Sequence, residues 1–575
     1  MKRLLKYFRG YTKECILGPL FKLFEATLEL IVPLIVALIV DVGIKGDGGI
    51  TYSIWMSVVL VLFGAVGLAF SVIAQYFSAK AAVGFSTRIR GALFSKVQEL
   101  SYTDIDRLGT STMITRMTQD ASKVQNGVNL ALRLLLRSPF VVFGAMIMAF
   151  IVNPSSATSF AVAIPILSVI VFGIMLLTMP LYKKTQAGTD KLLLSTRENL
   201  SGARVIRAFR LENNEISDFE SENSALTATQ KRVGMISSLL NPLTYVIINL
   251  AILWLMELGA IQVEDGIISS GAVIALYNYM SQILVELIKL ANLIVSISRA
   301  LASASRIADV LDYESTRCEG ERVRMDESAM AVEFDGVSLR YEGAGDNSLT
   351  DVSFSCAQGE TVGIIGGTGS GKSSLVNMIP GFYPAESGEV RLGGAPVSEY
   401  SEDAITEIVG IVPQKAVLFR GTVRDNMRYR KSDATDEEIW AALDIAMARE
   451  VVEGKGGLDA LIEEGGSNLS GGQRQRLTIA RALVGAPKIL ILDDSASALD
   501  YATDAALRKN IKTLSGVTTF IVSQRTSSVM HADKIIVLDD GEMVGIGTHD
   551  ELLKSSDIYR EIYDSQFGGE VRANG

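Results

Sequence analysis

The sequence predicts two joined domains: an all-α domain of six membrane spans, then an α/β domain of the P-loop type. Three observations carry this reading. Long apolar runs fill the first part of the chain and stop near residue 300. Charge changes sign close to the same place: residues 1–325 hold 31 Lys+Arg and 25 Asp+Glu, a net of +6, and the other 250 hold 23 and 39, a net of −16. The second part alternates short strand-like and helix-like stretches around a glycine-rich segment at 366–373. A length of 575 residues suits more than one domain, and 48% apolar with 21% charged residues excludes a disordered chain. The overall charge of −10 argues against a dedicated nucleic-acid binder. Cys15, Cys318 and Cys356 stand apart with no CxxC pair, so neither a disulfide framework nor a zinc site is expected, and a reducing cytosolic face is compatible.

Crossing about 30 Å of hydrocarbon takes roughly 20 apolar residues. Six stretches qualify: Ile16–Ile44, Ile54–Ala79, Leu134–Val152, Ser159–Tyr182, Leu239–Ile261 and Ile268–Ile297. The first is too long for a cleaved signal peptide and lacks a small-residue cleavage site. The third is the weakest, because Arg133 and Arg137 stand at its start. Loop charges set the orientation. Lys2, Arg3, Lys6, Arg9 and Lys13 precede span one. Eight basic residues lie between spans two and three and nine between spans four and five, against Lys45 alone in the other loops. The positive-inside rule then puts the N-terminus, both long loops and the second domain in the cytoplasm, in a multi-pass protein of the cytoplasmic (plasma) membrane. Phe85, Ile89, Leu93 and Val97 recur every four residues in the first long loop, so the spans are expected to continue as helices beyond the bilayer. Thr103–Thr112 and Glu198–Arg204 interrupt them, as turns or as docking elements.

Charge at membrane depth needs a wet cavity or a partner. Glu25 and Glu29 share a face of span one, Gln75 lies in span two, Glu257 in span five, and Gln282 and Glu286 in span six. They line a hydrated substrate path or pair between helices; the sequence leaves both open.

In the second domain, Thr361–Ile365 reads as a buried strand. Gly366, Gly367, Thr368, Gly369, Ser370, Gly371, Lys372, Ser373 and Ser374 follow, opening a helix. This is GxxxxGK[ST] in strand–loop–helix context, which binds a nucleotide. Glycines let backbone N–H groups face phosphates, Lys372 reaches the β/γ-phosphates and Ser373 ligates Mg²⁺. The run Lys488–Asp493 is a second buried strand, whose terminal Asp493 is placed for the Mg²⁺ shell. Leu469, Ser470, Gly471, Gly472 and Gln473 form a turn that opens another helix, a further anion site or a plain N-cap.

LSGGQ between a P-loop and a strand ending in Asp resembles the signature of ABC transporters. From about residue 10 to 567 the chain resembles half-size multidrug-type exporters, with a six-span domain fused ahead of the ATPase domain. That resemblance implies domains at 1–320 (membrane), 321–330 (linker), 331–567 (ABC ATP-binding) and 568–575 (tail). It implies that Tyr341 stacks on adenine and that Gln414 senses Mg²⁺ and the γ-phosphate. Ser497 and Asp500 would belong to the D-loop. The stretches near 103–112 and 198–204 would be coupling helices. The partners implied are a second half-transporter chain, the lipid bilayer and a small-molecule, lipid or peptide substrate, with no nucleic acid. An importer is disfavoured, because importers usually carry their membrane parts on separate chains.

Two positions depart from the family pattern. Asp494 stands where the family usually has the Glu that polarises water, and Gln524 where it usually has a His on the γ-phosphate. Asp is one methylene short, so its carboxylate misses the water by about a bond length, and a misplaced base forfeits much of its ~10²–10⁴-fold contribution. Gln donates a hydrogen bond but carries no imidazolium charge. The expectation is a degenerate ATP site in a heterodimeric exporter of amphipathic or hydrophobic substrates, with Ser470–Gln473 completing a competent site on the partner. Residues 460–466 (ALIEEGG) also depart from the family's usual loop before the signature. A slowly hydrolysing homodimer and an ATP-gated or regulatory membrane protein are the alternatives.

Overall fold

The computed structural model describes residues 2–316, 320–495 and 498–571. Two compact units result: one of residues 1–98 and 111–313, the other of 99–110 and 314–575.

The first unit is helical. Six of its helices, among the described residues, are long and apolar enough to cross a membrane: Thr12–Ile44, Gly49–Glu99, Thr110–Val152, Thr158–Ser201, Glu212–Glu264 and Ser270–Leu311. Five contain an expected span whole and run past it at one end or both; the sixth starts at Ser270, two residues after the expected Ile268, because Ser269 caps it, and runs on to Leu311. Gly49–Glu99 has 51 residues and is therefore about 77 Å long. Its extension follows the four-residue repeat: Phe85, Ile89 and Leu93 are buried against Val124, Val128, Ala304 and Ile307. Within the spans the core joins Ala26 and Leu30 to Val141, Ala145, Leu276, Tyr279 and Ile283. Beyond the spans, small residues let the helices approach closely. A Cβ on Gly127 would stand 2.1 Å from that of Ala300.

The second unit is α/β. Its main sheet runs Glu542–Gly547, Lys534–Asp539, Thr361–Gly366, Thr518–Val522, Ile489–Asp493, Val409–Val412. All neighbours are parallel except the first pair. Ile489–Asp493 is buried at every position, as a strand covered on both faces requires. An antiparallel sheet of Leu349–Cys356, Val332–Leu339, Ser387–Leu392 and Ala395–Pro396 adjoins it.

The expected boundaries differ from these units in two places. Residues 321–330 do not hang free: Arg322 N–H donates to the Glu399 carbonyl at 2.8 Å, and Met325 packs against the α/β core. Residues 99–110, expected in the membrane domain, form part of the second unit. The helix Tyr102–Leu108 carries a reciprocal capping box between Ser101 and Asp104. The buried Asp104 carboxylate also accepts from Ser315 Oγ at 2.9 Å, Thr316 N at 3.1 Å and Thr316 Oγ1 at 3.0 Å. Tyr102 stacks on Phe382 at 4.2 Å, and Tyr383 Oη donates to Asp106 at 2.8 Å.

Candidate functional site

The site lies at the C-terminal ends of the parallel strands, where open α/β sheets bind ligands. Strand Thr361–Gly366 delivers the chain into the glycine-rich loop, and helix Lys372–Met378 leaves it. Gly371 has φ +89°, and a Cβ there would lie 2.5 Å from the Ser348 carbonyl oxygen, so backbone and space both demand glycine. Lys372 Nζ donates to the carbonyls of Gly366 at 3.1 Å and Gly367 at 2.5 Å, and to Ser370 Oγ at 3.4 Å. Burial lowers the pKa of this ammonium, against the opposing pull of Asp494 and Asp493.

Asp493 ends its strand beside the loop. Ser373 Oγ donates to Asp493 Oδ1 at 2.9 Å. Burial raises the Asp493 pKa and the neighbouring Asp494 adds to it, while Ser373 and Lys372 act the other way. Asp494 turns off the strand with φ +44° and donates its N–H to the Val522 carbonyl at 3.0 Å. Gln414 Nε2 donates to Asp494 Oδ2 at 3.5 Å. Gln524 follows two residues after Val522.

Thr368, Gly369, Gly371, Lys372, Ser373, Ser374, Gln414, Asp493, Asp494 and Gln524 line one cavity of about 230 Å³. Ser348 and Val522 also line it; neither belongs to a motif, and only the sheet topology brings them there. Gly366, Gly367 and Ser370 stand behind the wall as acceptors for Lys372. Tyr341 is at the edge: its hydroxyl donates to Ser374 Oγ at 3.0 Å, and its ring meets Tyr383 edge-on at 4.9 Å.

The cavity pairs a cation and loop N–H groups for phosphate with oxygen donors for a hard metal. Among the described residues no group of three or more His, Cys, Asp or Glu could hold a metal by itself. The Asp493 carboxylate with the Ser373 hydroxyl beside it fits Mg²⁺, which takes one or two carboxylates plus substrate phosphate and water. Ser373, Asp493 and Gln414 are the residues here that would hold it. Bound there, Mg²⁺ would neutralise charge on the β- and γ-phosphates.

The signature does not line this cavity. Ser470 Oγ accepts from Gln473 N–H at 3.3 Å, and Gln473 Oε1 accepts from Ser470 N–H at 3.0 Å, a closed capping box on helix Gly471–Leu483. The N–H groups of Gly471 and Gly472 are first-turn donors with no acceptor within the helix. Leu469 is buried and anchors the turn. Asp500 caps helix Tyr501–Lys512, accepting from Thr503 N at 2.9 Å. Ser497 lies outside the described residues.

The membrane-depth carboxylates are mostly paired. Lys22 Nζ meets Glu25 Oε2 at 2.5 Å and Ser71 Oγ at 3.2 Å. Arg137 spans Glu29 at 2.5 Å and Glu286 at 2.7 Å, and Lys289 also reaches Glu286, at 2.9 Å. Gln282 stands one turn from Glu286, and Glu257 is exposed. Lys22 and Lys289 escape notice in the sequence, and Arg137 is noticed there only as a weakness of span three, not as a partner of the carboxylates. One signal marks the Arg137 pairing: Arg137 stands 15 residues from Val152, Glu29 15 from Ile44 and Glu286 16 from Ser270. All three share a depth of about 22–24 Å from those helix ends.

Residues 15–287 match the family described as ABC transporter transmembrane region, and residues 349–497 the family described as ABC transporter. The chain is 34% identical over 571 residues to the uncharacterized ABC transporter ATP-binding protein YfiB of Bacillus subtilis (strain 168), covering 99% of each. It is 34% identical over 572 residues to the uncharacterized ABC transporter ATP-binding protein Mb1304c of Mycobacterium bovis, covering 98% of this chain and 97% of that one. A solved chain described as a bacterial Atm1-family ABC exporter with ATP bound superposes with a TM-score of 0.81 at 22% identity, covering 96% of this chain and 99% of that one; this likeness is one of fold. The chain thus belongs to the ABC transporter family, as a multi-pass membrane protein that carries an ABC ATP-binding domain and has the fold of an ABC exporter.

Proposed function

We propose that the chain is one half of a heterodimeric exporter that moves an amphipathic or hydrophobic substrate out of the cell. Its own P-loop site binds MgATP and hydrolyses it slowly. Its signature, Ser470–Gln473, completes the competent site of a partner chain. The observation that carries this reading is the shared wall of one cavity, where Asp494 and Gln524 stand beside an intact Lys372, Ser373 and Asp493. Binding groups are complete, and the two groups that drive hydrolysis are each replaced. The loop charges support a cytoplasmic membrane location with the ATPase domain inside. Glu25, Glu29, Glu257, Gln282 and Glu286 are proposed to border the substrate route. A homodimer of low turnover is the second reading, favoured by the carboxylate that Asp494 keeps in the cavity.

ATPase activity of the purified full-length chain, reconstituted alone, tests the proposal. Nucleotide binding with turnover near background is expected. Brisk hydrolysis without a second chain would sink the heterodimer, and nucleotide-dependent ion currents would replace transport with gating.

A further inference from the structure

The last helix, Asp557–Val571, is fastened to the core beneath the ATP cavity. Tyr559 is fully buried in a cluster with Ile365, the residue before Gly366, and with Val529, in the short helix after Gln524. Ile562 packs on the same cluster. Positions 559, 562 and 566 share one helical face, so Gln566 is turned toward the segment that carries Gln524.

The Gln566 amide grips that segment at two points. Nε2 donates to the Gln524 carbonyl at 2.8 Å, and Oε1 accepts from Thr526 N–H at 2.8 Å. Thr526 opens helix Thr526–Val529, so its N–H has no acceptor within that helix. One end of the amide meets an acceptor and the other a donor, so only one orientation satisfies both. Ser523 holds the segment separately: its N–H donates to the Ile364 carbonyl at 3.1 Å, and its Oγ accepts from Arg525 N–H at 3.0 Å.

We propose that Gln566 is a positioning residue that holds Gln524 in place for the terminal phosphate of bound ATP. It acts through the main chain and touches no nucleotide itself. This rests on the reading of Gln524 as the γ-phosphate residue. A residue of the C-terminal helix then sets how well the site tells ATP from ADP, since ADP has no phosphate for Gln524 to meet.

The test is the affinity of the full-length chain, in lipid nanodiscs with Mg²⁺, for a non-hydrolysable ATP analogue and for ADP. Losing the grip in Gln566→Ala is expected to weaken the analogue roughly three- to tenfold, the worth of one net hydrogen bond, and leave ADP within about twofold. Gln566→Glu keeps the acceptor for Thr526 but sets a carboxylate against the Gln524 carbonyl, and should show the same selective loss with the helix start still satisfied. In a Gln524→Ala background, Gln566→Ala should add nothing. Equal weakening of both nucleotides, no weakening of either, or a full further loss in the double variant would overturn the proposal. If Gln524→Ala alone leaves the ATP/ADP ratio unchanged, the reading of Gln524 fails first and takes this inference with it. If Gln524→Ala lowers the ratio and both Gln566 variants do not, the inference alone fails.

Discussion

Tyr383 donates its hydroxyl to Asp106 at 2.8 Å while its ring meets the Tyr341 ring edge-on at 4.9 Å. One side chain therefore touches both the proposed adenine platform and the helix Tyr102–Leu108. Y383F keeps the ring and removes only the hydrogen bond, so nucleotide affinity should hold. Hydrogen exchange at residues 102–108 should speed up by an amount matching about 1 kcal/mol. Y383A should also weaken nucleotide binding. Burial raises the Tyr383 pKa, and Asp106 raises it further, so the phenol stays a donor across neutral and mildly alkaline pH.

The Asp104 carboxylate gives a pH window. Burial pushes its pKa up, but hydrogen bonds from Ser101, Ser315 and Thr316 outweigh this and hold it at about 2, below the usual aspartate value of 3.8. The folded pKa is depressed, so the stabilisation is complete above the unfolded value and is lost as pH falls through the folded one. It amounts to about 2 kcal/mol. D104N should expose residues 99–110 to proteolysis at pH 7, whereas wild type should stay protected down to about pH 4.5.

Arg137 sits between a buried carboxylate and a half-exposed one, with Glu286 at 2% and Glu29 at 40% side-chain exposure. R137M would leave the buried Glu286 with Lys289 alone and should cost about 2–3 kcal/mol, read as lost thermal stability in detergent. Replacing both ends of the pair, R137M/E286L, should recover much of that loss. E29Q should cost less than about 1 kcal/mol.

Hydrolysis at this chain's own site should respond to reach and charge together. In the assembled transporter, with the partner's P-loop lysine removed, D494E/Q524H is expected to raise ATP turnover by at least about tenfold. D494E alone should give less. No change in the double variant would count against a degenerate site.

How much was legible beforehand follows the distance between cooperating residues. Lys372, Ser373 and the signature announce themselves because a few contiguous residues carry their chemistry. Asp493 is legible from the apolar strand it terminates. Asp104 and Thr316 lie 212 positions apart, and no local pattern joins them. That contact is why residues 99–110 belong with the α/β unit, although the chain around them reads as membrane domain. Arg137 reads as a blemish at the start of a span, because its partners stand 108 and 149 positions away. Once helix ends are known, equal depth pairs them.

The left-handed backbone at Asp494 bears on how this site could change. At φ +44° a short side chain that bonds locally is at ease, as Asp and Asn are, and a longer one is less so. Reach toward water and comfort of the turn therefore pull the choice of residue in opposite directions. D494E, which lengthens reach, meets a left-handed backbone that suits the shorter carboxylate, so it should lower thermal stability slightly, as melting of the purified variant would read.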